Sequence, residues 1–150
     1  MKNYFERALR IVILSGVVIL GACGDDPAPI KEEELPGNWK LTALSIKALG
    51  QTEDAYTDLE ACEKDNIFHF AENGTYEYQV GVTKCDVSEP NVFESGTWEI
   101  SGKQLIIEIT GEDPESVEIL LLNSTTLKCR INIDLFGLAT TVTSTYTKQP

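Results

Sequence analysis

Cys62, Cys85 and Cys129, with the single histidine His69, are the residues whose types could do chemistry. Paired thiols in an exported chain form a disulfide, thiols with an imidazole hold zinc, and a thiol beside a base is a nucleophile. Spacing favours the first. A hairpin centred on Asn73 leaves Cys62 eleven residues before the turn and Cys85 twelve residues after it, nearly opposite each other. Closing that loop would contribute roughly 3 kcal/mol in the chain-entropy model. A zinc site from Cys62, Cys85 and His69 has no fourth ligand at suitable spacing, and strand parity points His69 outward. Cys129 alternates with Leu127, Ile131 and Ile133, the pattern of a small buried hydrophobe. The acid pairs Asp58/Glu60 and Glu63/Asp65 lack the glycine-centred spacing of calcium loops. There is no phosphate-cradling glycine loop and no serine nucleophile motif, so no catalytic residue, metal or cofactor is expected.

The fourth cysteine, Cys23, follows a leader. Lys2, Arg7 and Arg10 precede an apolar run at 11–20, ten residues long and too short to span a bilayer as a helix. That length suits a signal-peptide core. Leu20-Gly21-Ala22-Cys23 resembles the bacterial lipobox, which implies lipidation of Cys23 with a diacylglyceryl group and a palmitate-type acyl chain. Two or more chains make a stable anchor. Residues 1–22 are therefore read as a lipoprotein signal peptide. Residues 23–35 are read as a lipidated tether, held extended by Pro27, Pro29 and Glu32-Glu33-Glu34. Residues 36–150 are read as the folded domain. Gly24 is not the aspartate that retains lipoproteins at the inner membrane, which points to the outer membrane of a bacterial envelope, on its periplasmic face or at the surface. Asp25-Asp26 resembles an acidic surface-export signal.

The 150-residue chain carries a formal charge of −12, and loss of residues 1–22 leaves 9 basic and 23 acidic residues, a charge of −14. Such a body repels phosphate backbones, which excludes nucleic acid as a partner.

The elements that must position the cysteines are strands. Alternation and turn residues place them at 37–46, 67–71, 75–80, 93–100, 104–110, 115–122, 125–134 and 140–148. In the first, Trp39, Leu41, Ala43 and Ser45 share a face. Residues 47–62 read as an acidic connection with one helical turn near 57–61. Between 67–71 and 75–80, a three-residue loop Glu72-Asn73-Gly74 sets Phe70 opposite Tyr76 and Phe68 opposite Tyr78. A two-residue Asn73-Gly74 turn would set those rings against Glu77 and Gln79. Eight strands joined by tight turns predict an all-β fold, an eight-stranded antiparallel up-and-down barrel. A β-sandwich or an open meander is the alternative.

The motifs along this chain resemble those of bacterial lipocalin-like lipoproteins. Gly37-Asn38-Trp39 is similar to the lipocalin G-x-W signature. Then come Cys62-Glu63-Lys64-Asp65-Asn66, Phe68-x-Phe70, Asn73-Gly74-Thr75-Tyr76, Lys84-Cys85-Asp86, Ser95-Gly96-Thr97-Trp98 and Thr145-Tyr146-Thr147-Lys148. The resemblance covers residues 35–148 and implies a barrel on a lipid anchor. Larger lipocalins pack a basic residue, usually arginine, on the G-x-W tryptophan, and here the nearest candidate is Lys148. Their aspartate-containing middle motif is not evident.

A non-enzymatic monomer is expected, with one of two roles. As a binding module it would hold a small apolar ligand against the inward residues Phe68, Phe70, Tyr76, Tyr78, Trp98, Cys129 and Tyr146. As a surface interaction or structural lipoprotein it would have a solid core and meet an envelope protein through its loops. A cavity above about 300 Å³ favours the first role.

Overall fold

Short β-forming runs separated by turn residues become nine strands among the described residues. The structure is a computed structural model and describes residues 29–150, so the leader and Cys23 lie outside the described residues. In chain order come β1 (Gly37–Ala48), β2 (Gln51–Asp54), the one-turn helix α1 (Ala61–Lys64), β3 (Ile67–Phe70) and β4 (Thr75–Gln79). They are followed by β5 (Val92–Ser101), β6 (Gln104–Ile109), β7 (Glu115–Leu122), β8 (Thr126–Leu135) and β9 (Leu138–Gln149). Sheet neighbours are antiparallel. β1 pairs with β3 on one side and β9 on the other, so β1 and β3–β9 close into an eight-stranded barrel. Closure leaves no free edge in the ring. β2 hangs outside it on the end of β1.

The β3–β4 hairpin has the register that aromatic pairing dictates. Phe70 faces Tyr76, Phe68 faces Tyr78, and His69 faces Glu77 on the outside. Gly74 takes a left-handed φ of 84°, which the three-residue loop requires. Its turn lies at the same barrel end as Gly37, which pairs with Phe70.

That end is closed by Trp39. The ring is fully buried, and its Nε1 donates to the Leu35 carbonyl at 2.7 Å. Lys148 stands opposite Trp39 across β1–β9, with Nζ 5.1 Å from the ring centroid. The same ammonium donates to the Glu34 carbonyl at 2.8 Å. Lys148 thus takes the basic position over the tryptophan that the resemblance implies. Gly37 takes a φ of 140°, which side chains rarely adopt, and a Cβ there would also press on the Lys148 stem, so glycine suits the position two residues before the tryptophan.

Four expectations need correction. Residues 32–34 are a 3-10 turn, Leu35 is fully buried, and Ile30 packs on the core. The folded body therefore begins near residue 30, and the end of the supposed tether is part of the barrel plug. Trp39 and Lys148 attract these residues by bonding the carbonyls of Leu35 and Glu34. Second, the connection at 47–62 contains β2, and the helical turn falls at Ala61–Lys64, where Glu60 and Glu63 form a capping box. Third, a bulge between Leu41 and Ala43 reverses the parity of β1. Thr42 turns aside to bond Thr145 O and Thr147 Oγ1, each at 3.2 Å, so Ala43 is exposed and Leu44 turns towards the barrel mouth. Fourth, β9 starts at Leu138, because a two-residue turn, Phe136-Gly137, joins it to β8.

β1, β8 and β9 outrun their neighbours. Ser45 to Ala48 pair with β2 and β9, beyond the reach of β3, and β8 continues five residues past Arg130, where pairing with β7 stops. The result is a wing rising beyond the open end of the barrel. Its two tips, Leu49-Gly50 and Phe136-Gly137, put bulky residues at φ of 53° and 56°. Left-handed backbone costs roughly 1–2 kcal/mol for such residues. Neither side chain recovers that cost by burial, since Leu49 is 81% and Phe136 98% exposed.

Phe136→Asn should therefore raise stability by about 1 kcal/mol, because asparagine tolerates the left-handed region. Urea denaturation reads this directly, and an unchanged or lower midpoint would refute the strain. Replacing both Cys62 and Cys85 with serine should cost about 3 kcal/mol, since the bond they form spans 23 residues. The same titration, compared with the reduced wild type, checks it.

Candidate functional site

Inward-facing residues of a small barrel either fill it or leave one ligand-sized hole. Here they leave a cavity of about 170 Å³. Phe68 and Phe70 reach it from β3, Tyr76 from β4, and Leu105, Ile107 and Ile109 from β6. Val117 from β7, Leu127 and Cys129 from β8, and Tyr146 from β9 complete the apolar wall. Three polar side chains join them: Glu94 on β5, Glu115 at the start of β7, and Ser144 on β9.

A row of rings crosses the barrel above this cavity. Phe68 stacks on Tyr78 with centroids 4.5 Å apart, Phe68 and Tyr146 form a T-shaped pair at 5.1 Å, and Phe93 lies 5.1 Å from Tyr78. Beyond the row is an open mouth of about 600 Å³, bordered by Leu41, Leu44, Leu59, Tyr78, Phe93 and an acidic rim of Asp58, Glu60, Glu63 and Glu89. Phe68 belongs to both spaces. Phe68 thus stands where the mouth and the cavity meet.

The mouth is held by the motif around Cys62. Cys62 on α1 is bonded to Cys85 in the loop after β4, with Cα atoms 5.2 Å apart. Asn66 Oδ1 accepts from Gly81 N at 3.2 Å, and its Nδ2 donates to the Tyr78 hydroxyl at 2.9 Å. Asp65 Oδ2 accepts from Thr83 N at 3.0 Å. One short segment thereby fixes both the loop and a ring of the aromatic row. The disulfide uses both sulfurs near Glu60, so no thiolate is left there for a metal. His69 lies on the outer face, its Nδ1 2.7 Å from Asn38 Oδ1, and does not join the cysteines.

Burial sets the protonation of the interior. It pushes the Cys129 thiol up to about 12, so the group stays a neutral thiol at physiological pH. Burial likewise pushes Tyr146 up to about 12, against a smaller opposing effect of a Ser144 hydrogen bond. Tyr76 is raised beyond the ordinary phenol range, chiefly by burial and then by the nearby Glu94 carboxylate. Its hydroxyl donates to Glu94 Oε2 across a long 3.5 Å. Both phenols are thus held as neutral donors.

Of the residues expected inside, Phe68, Phe70, Tyr76, Cys129 and Tyr146 line the cavity, and Tyr78 lines the mouth. Trp98 does neither. It packs edge-on against Phe70 at 6.1 Å and donates from Nε1 to the Ala71 carbonyl at 3.0 Å, a structural role near the closed end. The reading from sequence missed Glu94, Glu115 and Ser144. A signal was present, because Glu94 is in phase with Gly96 and Trp98 along β5. Charged residues are conventionally assigned outward, and that convention hid it.

Among solved structures, the chain is similar to bovine odorant binding protein in complex with undecanal. The two share 21% identity over 81% of this chain and 75% of the other, with a TM-score of 0.44. It is also similar to the bovine lipocalin allergen Bos d 2, at 12% identity over 80% and 76%, with a TM-score of 0.45. No curated protein matches it in sequence. The family model for the lipocalin-like domain matches residues 35–129, from the buried plug residue Leu35 to the cavity thiol Cys129, and the chain belongs to that family.

Proposed function

We propose that this chain is a lipid-anchored binding module of a bacterial cell envelope, a monomer whose barrel holds one small apolar ligand. The observation that carries the reading is the apolar cavity of about 170 Å³ beneath a larger mouth, with the Phe68 ring between them. Lipocalin-like barrels typically bind small hydrophobic ligands. Pockets for drug-sized molecules begin at about 300 Å³, whereas a dry cavity near 150 Å³ takes benzene. The cavity falls short of the about 300 Å³ set as the mark of a ligand pocket, so its size supports only a ligand of roughly six to ten non-hydrogen atoms. The neutral phenols of Tyr76 and Tyr146 supply one or two polar contacts.

The anchor rests on the leader and on Cys23 within Leu20-Gly21-Ala22-Cys23. With the body folded from about residue 30, the linker from Cys23 is short. It joins the closed end, so the mouth would face away from the membrane that holds the chain, and an outer-membrane position would suit such a module.

A second reading, a surface interaction protein, is favoured by the exposed apolar tips Leu49 and Phe136 on the wing. Cross-linking in intact cells, wild type against Phe136→Asn, tests it, and identical adducts would count against it.

For the first reading, titration of tryptophan fluorescence with toluene and p-cresol should show saturation at about 0.1 mM. Leu105→Trp, which fills the cavity, should abolish it. Absence of saturation with any monocyclic aromatic would sink the proposal. Cys23→Ser should move the protein from the membrane to the soluble fraction and stop incorporation of labelled palmitate. Unchanged membrane recovery would refute the anchor.

A further inference from the structure

We infer that the barrel selects a small hydrophobic amine, binding its ammonium group through Glu94 and Glu115. This deepens the ligand-binding reading above and rests on it. Two carboxylates face the cavity, and among the described residues no lysine, arginine or histidine lines it. Glu94 is half-buried and Glu115 stands exposed at the rim of the cavity, and with no cation in the lining an ammonium group placed between them gains two opposite charges. Within the barrel, Glu94 is given a hydrogen bond by the Tyr76 hydroxyl, and that contact is long at 3.5 Å. The other ring faces add to the case. Phe68, Phe70, Tyr76 and Tyr146 surround the same space, and aromatic faces attract cations when water is excluded.

Ligands of the opposite sign are rejected by the same arrangement. A carboxylate ligand would meet two like charges, with only neutral hydroxyls of Tyr76, Ser144 and Tyr146 in the lining to offset them. The field of the whole chain acts in the same sense, since a formal charge of −12 concentrates cations and the mouth rim is acidic. Volume limits the apolar part to about one ring or a short alkyl chain. The ligand class is therefore a primary amine on a benzene-sized body.

Calorimetric titration of the full-length chain with benzylamine, toluene and benzoate at constant ionic strength tests this. Benzylamine should bind about tenfold more tightly than toluene, and benzoate should not bind. In Glu94→Gln and Glu115→Gln the preference of benzylamine over toluene should fall severalfold, with melting curves reporting that each variant is folded. Toluene or benzoate binding as tightly as benzylamine would overturn the amine assignment and leave the binding module standing. A preference unmoved in both variants would overturn the role of the two carboxylates. No saturable binding of any of the three would overturn the binding reading itself.

Discussion

The pairing of β1 with β9 is the constraint on which the rest of the structure depends. Without it the sheet is an open meander with two long edges; with it the inner face becomes an enclosed space. The register of that pairing sets Lys148 over Trp39, and the two together gather the carbonyls of Glu34 and Leu35. One cross-strand pair thus closes the barrel wall and its end. The N-terminal segment becomes the plug because two strong donors, an indole N–H and an ammonium, require acceptors when removed from water.

The opposite end is built on different physics. There the strands are uneven, and the short side is tied by a covalent bond and side-chain amides while the long side rises as a bare wing. Between the plugged end and the fastened rim, the mouth and the interior meet at Phe68, and the exposed Glu115 stands at the cavity's other border. The interior itself is divided in character. Its walls are aliphatic and aromatic, its hydroxyls are held neutral by burial, and its formal charge comes from Glu94 and Glu115.

Much of this was legible in the residues. The aromatic pairs of β3 and β4 allow a single register, because the alternative buries Glu77 and Gln79 against rings. That register alone places Cys62 near Cys85, and the two are bonded. Trp39 and Lys148 could be matched from motif order. Less legible were features lacking a period or a turn signature. β2 reads Gln-Thr-Glu-Asp, with no apolar alternation, and its turn uses Leu49 where asparagine or glycine would announce a hairpin.

The sequence by itself determined the order of the eight barrel strands, the central hairpin and its disulfide, because these follow from local alternation and from distances along a short stretch of chain. Only the tertiary structure decided the bulge at Thr42, the burial of Leu35 and the size of the cavity. It also decided which acids look inward. Each of these depends on how strands far apart in sequence fit around a closed ring. A volume left between side chains from seven strands is a small difference between large quantities, and no local pattern encodes it.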